Sequence, residues 1–329
     1  MYDLMALGDV VFDTIISPED ISLMCPHGRI KSKTCFEKVL CLPFGDKIPI
    51  TKMDYSLGGS AANVAVGLAR QNFKVGFISA LGSDEKSNEI LIKLEDENIN
   101  TRYLKKIKNM VANFSIIIAY KGERTILMYR GLTDYAKIVL PKFIKSDWLF
   151  ISSLGKGYEK LYRQIIPLVS EKNLKIAINP GNLQIKEEKY LKEILRVTKI
   201  IFVNRAEAVE LCRARPTSSI KNLLSEIKIL GPEIVIITEG KEGAYSFDGE
   251  NMYKIGTFMA KLVESTGAGD SFSSGFMGAI LAGKDLTNAL QYGVINSASV
   301  IEHYGAQKGL LKKAELEKRV YRAPKPHFV

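Results

Sequence analysis

Short apolar segments alternate with segments of helical spacing along most of this 329-residue chain. The predicted strands are Leu4–Leu7, Val75–Ser79, Trp148–Ile151, Lys175–Asn179, Ile200–Val203 and Ile234–Thr238. The predicted helices are Ala61–Arg70, Ser87–Leu94, Tyr158–Val169, Lys189–Leu195, Ala206–Cys212, Ile220–Leu230, Asp270–Leu281 and Leu286–His303. This alternation predicts an α/β fold with a mostly parallel sheet and helices on both of its faces.

Two stretches interrupt the alternation, residues 14–57 and residues 112–130. The first is long, extended in character and punctuated by proline and glycine. The second holds two strand-like runs, and the turn Lys121–Glu123 between them predicts a β-hairpin. Extended inserts of this kind can pair as a small sheet beside the main domain. We therefore predict a single domain over residues 1–329, with a small sheet that closes over a site as a lid or builds a dimer surface.

The composition narrows the class of protein. Hydrophobic residues make up 46% of the chain, which is enough for a large core, and no apolar run approaches the ~20 residues of a membrane span. The first residues, Met1–Leu4, lack the regions of a signal peptide, so we expect a cytoplasmic protein. Lysine and arginine total 46 against 36 acidic residues. This basic balance suits phosphates, and without a nucleic-acid motif a lysine-rich solvated surface is favoured over nucleic-acid binding.

Four cysteines in a chain of this length do not form a disulfide framework. Cys25, Cys35 and Cys41 lie in one segment together with His27, which is a composition that zinc sites use. The segment lacks a close C-x-x-C pair, so ordinary thiols are the favoured interpretation.

The strongest local signal is the segment Glu264–Phe272, which reads ESTGAGDSF. Gly267, Ala268 and Gly269 precede Asp270 at the start of a predicted helix. Small residues at that point let backbone N–H groups converge on an anion, and Asp270 can accept a proton from a substrate hydroxyl. An anion hole beside a general base is what phosphoryl transfer needs. The alternative is a glycine-rich turn in which Asp270 only caps the helix.

A second glycine motif, Gly58-Gly59, precedes a predicted helix that carries Asn63. Paired glycines allow a ligand to approach the backbone closely, and Asn63 offers a donor and an acceptor. The alternative is a loop-to-helix turn with Asn63 facing solvent. Further polar or small residues lie at or just past the ends of predicted strands, namely Asp13, Asn204, Glu207, Thr238 and Gly240. Ligands of parallel α/β sheets bind beyond the carboxyl ends of the strands, so we expect these residues to converge.

The order and spacing of four motifs resemble those of the PfkB/ribokinase family of carbohydrate kinases. The motifs are Gly58-Gly59 with Asn63 and Ala65, Asn204-x-x-Glu207, Thr238-x-Gly240 and Thr266-Gly-Ala-Gly-Asp270, and they match from roughly Leu4 to Gln307. The resemblance implies a three-layer α/β/α ribokinase-like domain with a β-sheet lid that often forms a homodimer. It also implies ATP as phosphoryl donor, Mg²⁺ as its metal and a small sugar as acceptor.

The resemblance implies a role for each motif residue. Asp270 would be the catalytic base, and Gly267, Ala268 and Gly269 would supply N–H donors to the transferring phosphoryl group. The implied sugar ligands are Asp13, Gly58, Gly59 and Asn63. The implied nucleotide-side residues are Asn204, Glu207, Thr238, Gly240, Asn296 and Gly305, with Glu207 near Mg²⁺ through water.

Some positions depart from the family pattern. Glu264 stands where members usually have an aspartate that helps to bind a monovalent cation, so potassium activation is not carried over. Ser60 stands where the phosphofructokinase branch often has lysine, which argues against a sugar-phosphate acceptor. Arg124 and Arg130 on the predicted hairpin can bind the carboxylate of an acidic sugar, although an exposed lid charge is the favoured interpretation.

Three functions remain open at this point. The first is an ATP-dependent sugar kinase, and the second is a nucleoside kinase with the same fold. The third is a ligand-binding protein without catalysis. The presence of Asp270 together with Asn204 and Glu207 disfavours the third function, because a protein that only binds has no chemical need for them.

Overall fold

The computed structural model describes residues 1–19, 22–24, 39–120, 123–131, 135–138, 140 and 145–329. The strands in these ranges are β1 (Leu4–Leu7), β2 (Val11–Pro18), β3 (Ser22–Met24), β4 (Val39–Cys41), β5 (Ile50–Gly58), β6 (Val75–Leu81), β7 (Asn100–Lys106), β8 (Phe114–Tyr120), β9 (Glu123–Tyr129), β10 (Trp148–Ile151), β11 (Lys175–Ile178), β12 (Ile200–Asn204), β13 (Ile234–Thr238), β14 (Ala244–Phe247), β15 (Met252–Ile255) and β16 (His327–Phe328). The α-helices are α1 (Ser60–Arg70), α2 (Glu85–Asp96), α3 (Tyr158–Lys172), α4 (Asn182–Glu187), α5 (Lys189–Leu195), α6 (Arg205–Leu211), α7 (Ile220–Ile229), α8 (Ala268–Leu281), α9 (Leu286–Val300) and α10 (Lys313–Arg319).

The main sheet of the described chain has ten strands in the order β16-β15-β14-β13-β12-β11-β10-β1-β6-β7. The strands from β13 to β7 are parallel, and all six predicted strands belong to this part. The strands β14, β15 and β16 extend the sheet in antiparallel fashion. The sequence pattern did not predict this edge, because none of its strands exceeds four residues and so none shows a clear apolar period.

Successive residues of the parallel strands face two different hydrophobic cores. In β1, Leu4 and Ala6 belong to a core with α1, α8 and α9, whereas Met5 and Leu7 belong to a core with α3, α5, α6 and α7. Strands that are covered on both faces read as continuous apolar runs, which explains the predicted pattern. The three-layer α/β/α fold is therefore confirmed.

A separate four-stranded sheet has the order β5-β2-β8-β9, and we call it the small sheet. Its central strand β2 pairs with β5 in antiparallel and with β8 in parallel orientation, while β9 is an edge strand. The two sequence inserts thus pair with each other, as predicted. The predicted turn residues Lys121 and Gly122 lie outside the described residues, as do Cys25, His27 and Cys35.

The small sheet lies where the chain leaves the carboxyl end of β1, since Gly8–Val10 connects β1 directly to β2. The strand β5 leads in turn straight into α1. Both ends of the small sheet are therefore tied to the edge of the main sheet at which parallel α/β folds bind ligands. No helix in the described ranges is long and apolar enough to cross a membrane.

Candidate active site

A polar cavity of about 290 Å³ lies between the small sheet, the carboxyl end of β1 and the N-terminus of α8. Six predicted site residues line it, namely Asp13, Gly58, Gly59, Asn63, Gly267 and Asp270. Its other polar lining residues are Asp9, Ser60, Asn113, Ser115, Arg124, Arg130, Ser153 and Thr266. Motifs that are far apart in sequence therefore meet at one cavity, as the position of the strand ends predicts.

Asp270 lies in the first turn of α8, and side chains of α1 hold its carboxylate. Asn63 Nδ2 donates a hydrogen bond of 2.7 Å to Asp270 Oδ2, and the Ser60 side chain adds another. Gln307 Nε2 in turn donates a hydrogen bond of 2.9 Å to Asn63 Oδ1. An amide carries two N–H donors, so Asn63 keeps one N–H for a ligand. The carboxylate of Asp270 is thus oriented by a relay of two amides.

The protonation of Asp270 follows from this environment. Burial raises the pKa of Asp270 above its ordinary value, while the hydrogen bonds from Asn63 and Ser60 and the charge of Arg124 oppose that rise. A carboxylate with a raised pKa is a stronger base than one in water, and the hydrogen-bond donors that oppose the rise favour its ionised form. The position and the proton affinity of Asp270 both suit a general base.

Asp13 lies on β2 and points into the polar cavity, where it is buried. Ser115, its neighbour in the register of β8, donates a hydrogen bond to Asp13 Oδ1. Burial raises the pKa of Asp13 to about 6, and the nearby charges of Glu264 and Asp270 add to the rise. The second carboxylate oxygen of Asp13 faces the glycine motif, where it can accept from a ligand hydroxyl.

Glycine is required at positions 58 and 59 because the backbone there passes very close to Asp13 and Asp9. A Cβ atom on Gly58 would lie 2.0 Å from Asp13 Oδ2. Gly59 has a φ of +95°, and a Cβ there would lie 2.3 Å from the carbonyl oxygen of Asp9. Neither position accepts another residue without displacement of the site. The prediction of close backbone approach is therefore explained by packing against Asp13 and Asp9.

Sequence reasoning missed Asp9 as a site residue. Asp9 follows β1 directly, and its buried carboxylate accepts hydrogen bonds from Arg130 Nη1 at 3.0 Å and from the Tyr135 hydroxyl. Burial raises the pKa of Asp9, although both partners oppose the rise. The available signal was its place immediately beyond the first strand, where the sequence reads as a polar turn.

A second cavity, of about 480 Å³, lies on the other side of the α8 N-terminus, and we call it the apolar cavity. Its apolar lining comes from Phe258, Met259, Ala260, Leu262, Phe272, Val294, Ala298 and Ile301. The predicted residues Thr238, Gly240, Ala268 and Gly269 also line it. Apolar walls with a few polar groups at one end suit a flat heterocycle that carries phosphates.

The N-terminus of α8 separates the two cavities. Gly267, its N-cap, has a φ of +76°, and no side chain caps the helix. A Cβ on Gly269 would meet no atom within 4 Å, so the backbone there is open to a ligand. The Ala268 N–H donates to the carbonyl oxygen of Ser265 at 3.3 Å. The remaining backbone N–H groups of the first turn and the helix dipole favour an anion at this point. Gly267, Ala268 and Gly269, the residues of the predicted anion hole, lie at the junction of the two cavities.

Four of the six predicted nucleotide-side residues do not line the apolar cavity, namely Asn204, Glu207, Asn296 and Gly305. Asn296 is fully buried, and its amide binds the Ser271 carbonyl, the Ser274 hydroxyl and the Leu311 N–H, so it joins α9 to α8. The N–H of Gly305 donates to Glu264 Oε2 at 2.8 Å, beside the small sheet. Sequence spacing placed Asn296 on the right helix, but the neighbouring Ser297 and Ala298 face the cavity instead.

Glu264, the departure from the family pattern, is buried and has both oxygens occupied. Thr266 donates its hydroxyl to Glu264 Oε1, and the Gly305 N–H binds Glu264 Oε2. The longer glutamate side chain therefore joins the segment before α8 to the turn at Gly305. The carboxylate is used as a structural acceptor in this chain.

Asn204 and Glu207 form the N-terminal capping box of α6. The Glu207 N–H donates to Asn204 Oδ1 at 2.9 Å, and the Asn204 N–H donates to Glu207 Oε2 at 2.8 Å. Burial raises the pKa of Glu207, and the negative charge of Asp270 raises it further. A cation near Glu207 would offset both the burial of its carboxylate and the negative charge of Asp270, so Glu207 fits a hard divalent ion.

Within the described ranges, no group of three or more His, Cys, Asp or Glu residues is arranged to hold a metal. Of the four cysteines, Cys41 and Cys212 are described, and both are free thiols. A metal at Glu207 would thus take most of its ligands from phosphates and water, as Mg²⁺ commonly does.

Known proteins that are similar to this chain are kinases. The model of the family described as pfkB family carbohydrate kinase matches residues 34–313. A 5-dehydro-2-deoxygluconokinase of Clostridium tetani is 30% identical over 293 residues, which cover 82% of this chain and 86% of that protein.

Solved structures share the fold over the whole chain. A nucleoside kinase of Methanocaldococcus jannaschii, an archaeal member of the ribokinase family, has a TM-score of 0.78 at 21% identity and covers 98% of this chain and 99% of its own. A ribokinase of Arabidopsis thaliana complexed with ribose and ATP has a TM-score of 0.78 at 17% identity and covers 97% of this chain and 98% of its own. At these identities the likeness concerns the fold.

Proposed function

The chain belongs to the pfkB family of carbohydrate kinases, and from that premise we propose that it transfers the γ-phosphoryl group of ATP to a hydroxyl group of a sugar. The observation that carries the proposal is the position of Asp270, which lies at the uncapped N-terminus of α8 between a polar and an apolar cavity. A base, an anion hole and two unlike cavities are the parts that this reaction needs.

In this mechanism Asp270 accepts the proton of the attacking hydroxyl. The hydrogen bonds from Asn63 and Ser60 hold its carboxylate in one orientation, and Gln307 holds Asn63. Fixed orientation of a base relative to its substrate supplies much of the rate of such reactions. Asn63 is therefore proposed as a positioning residue for the base as well as a sugar ligand.

The negative charge that develops on the transferring phosphoryl group is proposed to lie at the N-terminus of α8. Backbone N–H groups of Gly267, Ala268 and Gly269 are proposed to bind its oxygens, and the helix dipole adds to the attraction. ATP would place its base in the apolar cavity near Phe258 and Phe272, with Thr238 and Gly240 along the nucleotide. Mg²⁺ would be held near Glu207 and Asn204, where it neutralises phosphate charge.

The polar cavity favours a sugar over a nucleoside as the acceptor. Its carboxylates, Asp9 and Asp13, and the side chains of Asn113 and Ser115 are suited to hydroxyl groups. The described residues that line it include no aromatic ring, whereas proteins often stack an unpaired nucleobase on one. The family includes both acceptor classes, so a nucleoside kinase remains the second candidate.

We also propose that the small sheet acts as a lid and as the surface of a homodimer in the cytoplasm. Ile126 and Met128 of β9 line the polar cavity. On the opposite face of the small sheet, Leu127 and Tyr129 are 53% and 58% exposed, and Met53 and Tyr55 of the other edge strand, β5, are exposed as well. An apolar face of this kind is commonly covered by a partner. Leu127→Asp should convert a dimer to a monomer in light scattering.

The experiment that tests the function is a panel of acceptors with ATP, Mg²⁺ and coupled detection of ADP. The panel should include neutral sugars, acidic sugars such as 5-dehydro-2-deoxygluconate, and nucleosides. A sugar is expected to give the highest kcat/KM. A nucleoside preference would replace the sugar assignment, and ADP release that does not depend on any acceptor would contradict phosphoryl transfer to a hydroxyl.

A further inference from the structure

Arg70 is the last residue of α1, and its guanidinium joins α1 to two other segments of the main domain. Its Nε donates a hydrogen bond of 2.9 Å to Glu97 Oε2, and its Nη2 binds Glu97 Oε1 in the same bidentate pair. Its Nη1 donates to the carbonyl oxygens of Gln307 at 2.6 Å and of Leu310 at 3.3 Å. One side chain therefore connects the residue that follows α2 to a turn that lies more than 200 positions further along the chain.

This turn begins at Gln307 and ends at Leu310, whose N–H donates a hydrogen bond of 3.1 Å to the Gln307 carbonyl. Arg70 Nη1 thus binds the carbonyl groups at both ends of the turn. The side chain of Gln307 donates to Asn63, and Asn63 donates to Asp270. Arg70 is therefore linked to the proposed base by a continuous series of contacts.

Arg70 lies outside both cavities of the candidate active site. It is not among the described residues that line the polar or the apolar cavity. Together with Glu97 it lines a separate polar groove of about 810 Å³, which lies between the carboxyl ends of α1, α2 and α9 and the helix α10. An effect of Arg70 on the reaction would therefore pass through the turn and not through a contact with substrate.

A second side chain ties the same turn to the small sheet, but it does so less firmly. Lys308 pairs with Asp54 of β5 at 2.8 Å, and because its side chain is 62% exposed, this ion pair stabilises little. The side chain of Arg70 is 22% exposed, and its bidentate pair with Glu97 fixes the plane of the guanidinium. Its bonds to the two carbonyl groups are charge-assisted, which makes them stronger than bonds between neutral groups. Arg70 thus supplies the firmer of these two contacts.

We propose that Arg70 is a positioning residue for phosphoryl transfer, which holds the turn at Gln307 and thereby the relay that orients Asp270. The inference rests on the proposed function and adds to it a residue outside both cavities. Without the guanidinium, two carbonyl groups lose their donor, so the turn shifts and Gln307 no longer fixes the amide of Asn63. The carboxylate of Asp270 then loses a donor of fixed direction. Such displacements are costly, since a misplacement of about 1 Å can lower a rate by ~10²-fold.

The test compares Arg70→Ala with wild type and with Arg213→Ala. Arg213 also pairs with a glutamate, but it lies just beyond α6 and lines neither cavity. Arg70→Ala should lower kcat by up to ~10²-fold with little change in KM for either substrate. Arg70→Lys should retain part of the rate, because an ammonium group can reach a carbonyl oxygen but cannot form the bidentate pair. Arg213→Ala should match wild type.

The pH profile of kcat separates positioning from a general loss of stability. Its acid limb should move to higher pH in Arg70→Ala, because a donor that favours the ionised form of Asp270 is no longer fixed. The charged groups that act on Asp270 remain unchanged in this variant, namely Arg124, Asp13 and Glu207. A shift of the acid limb therefore reports on the relay.

A double-mutant cycle tests the route. If Arg70 acts through Gln307, Arg70→Ala should cause little further loss of kcat in a Gln307→Ala background, because the relay is already broken there. Arg70→Met, which keeps the apolar stem and removes every donor, is measured in the same way, so that the test does not depend on the folding of the alanine variant.

Two results would overturn the inference while an active wild type leaves the proposed function intact. One is wild-type kcat with an unmoved acid limb in whichever of Arg70→Ala and Arg70→Met folds. The other is a double variant in which the losses from Arg70→Ala and Gln307→Ala multiply, since the guanidinium would then act by another route. A wild type that phosphorylates no acceptor would overturn the proposed function and this inference with it.

Discussion

The side-chain amide of Asn63 donates a 2.7 Å hydrogen bond to the carboxylate of Asp270, which lies 207 positions further along the chain. The contact joins α1, which follows the glycine motif, to α8, which follows the anion-hole motif. It explains why two motifs at opposite ends of the sequence serve one site. Because the amide donates to it, the carboxylate is held as a hydrogen-bond acceptor in one orientation. A general base requires this state before the substrate binds.

Gln307 is expected to act on catalysis without touching the substrate. Gln307→Ala removes the donor that orients Asn63, so Asp270 loses a fixed partner that opposes the rise of its pKa. We expect a lower kcat, little change in acceptor KM and an acid limb of the kcat profile that moves to higher pH. A pH–rate profile measures all three.

The matched control for this prediction is Gln291→Ala. Gln291 lies on α9, and its side chain donates a hydrogen bond to the carbonyl of Pro324, away from the site. It should leave the pH profile unchanged. A Gln307→Ala enzyme whose acid limb coincides with that of wild type would show that the relay does not tune the base.

Asp13 is expected to make acceptor binding and stability depend on pH in opposite ways. Because burial raises its pKa from 3.8 to about 6, the folded protein favours the protonated form, and the stability that this provides is lost as pH rises through about 6. Asp13→Asn should therefore stabilise the protein at pH 7.5 by up to ~3 kcal/mol, the equivalent of a two-unit shift.

The same substitution should impair function. Hydroxyl groups donate to an ionised carboxylate, so the acceptor KM of wild type should rise as pH falls below about 6. Asp13→Asn should raise the acceptor KM at every pH and abolish that dependence, with KM for ATP unchanged. Equal changes in KM for both substrates would indicate a structural role for Asp13.

Glu207 is expected to govern the requirement for Mg²⁺. Glu207→Gln keeps an oxygen for the Asn204 N–H, so the helix cap survives, but it removes the charge that attracts a divalent ion. The Mg²⁺ concentration for half-maximal rate should rise. Glu210→Gln on the same helix is the matched control, since Glu210 is exposed, and an identical Mg²⁺ titration in both variants would argue against the assignment.

Potassium should have no effect on the rate. Both carboxylate oxygens of Glu264 already accept hydrogen bonds, from Thr266 and from the Gly305 N–H, so a monovalent ion at this side chain would compete with two donors. Initial rates in KCl and in tetramethylammonium chloride at equal ionic strength test this. Activation by KCl alone would show that a cation site exists despite the glutamate.

Most of the parallel sheet could be predicted, because β1, β6, β10, β11, β12 and β13 are buried on both faces and read as apolar runs. The glycine and anion-hole motifs were also predictable, because Gly58 packs against Asp13, and Gly267 has a φ of +76° and packs against Ala306. Tertiary contacts could not be predicted from the sequence. Nothing local in the sequence indicates that Gln307 forms a hydrogen bond with Asn63, or that the amide of Asn296 is hydrogen-bonded to α8.

Arg124 shows the same limit from another side. On sequence alone it was one of two arginines on a predicted hairpin, and an exposed lid charge was the favoured interpretation. The structure separates the two, because Asp9 neutralises Arg130 while Arg124 reaches Ser265. Whether a charged side chain is solvated or functional depends on what the fold places opposite it, and the sequence does not state that.

The most direct test of the account is the rate of phosphoryl transfer in Asp270→Asn, which preserves the shape of the side chain and removes its basicity. With the best acceptor of the panel, kcat should fall by ~10²–10⁴-fold while the circular dichroism spectrum and ATP binding remain those of wild type. Asp147→Asn, an exposed aspartate before β10, should keep wild-type kcat. Near-normal turnover in Asp270→Asn would contradict the account, because the chain would then transfer phosphoryl groups without the base on which its site is built.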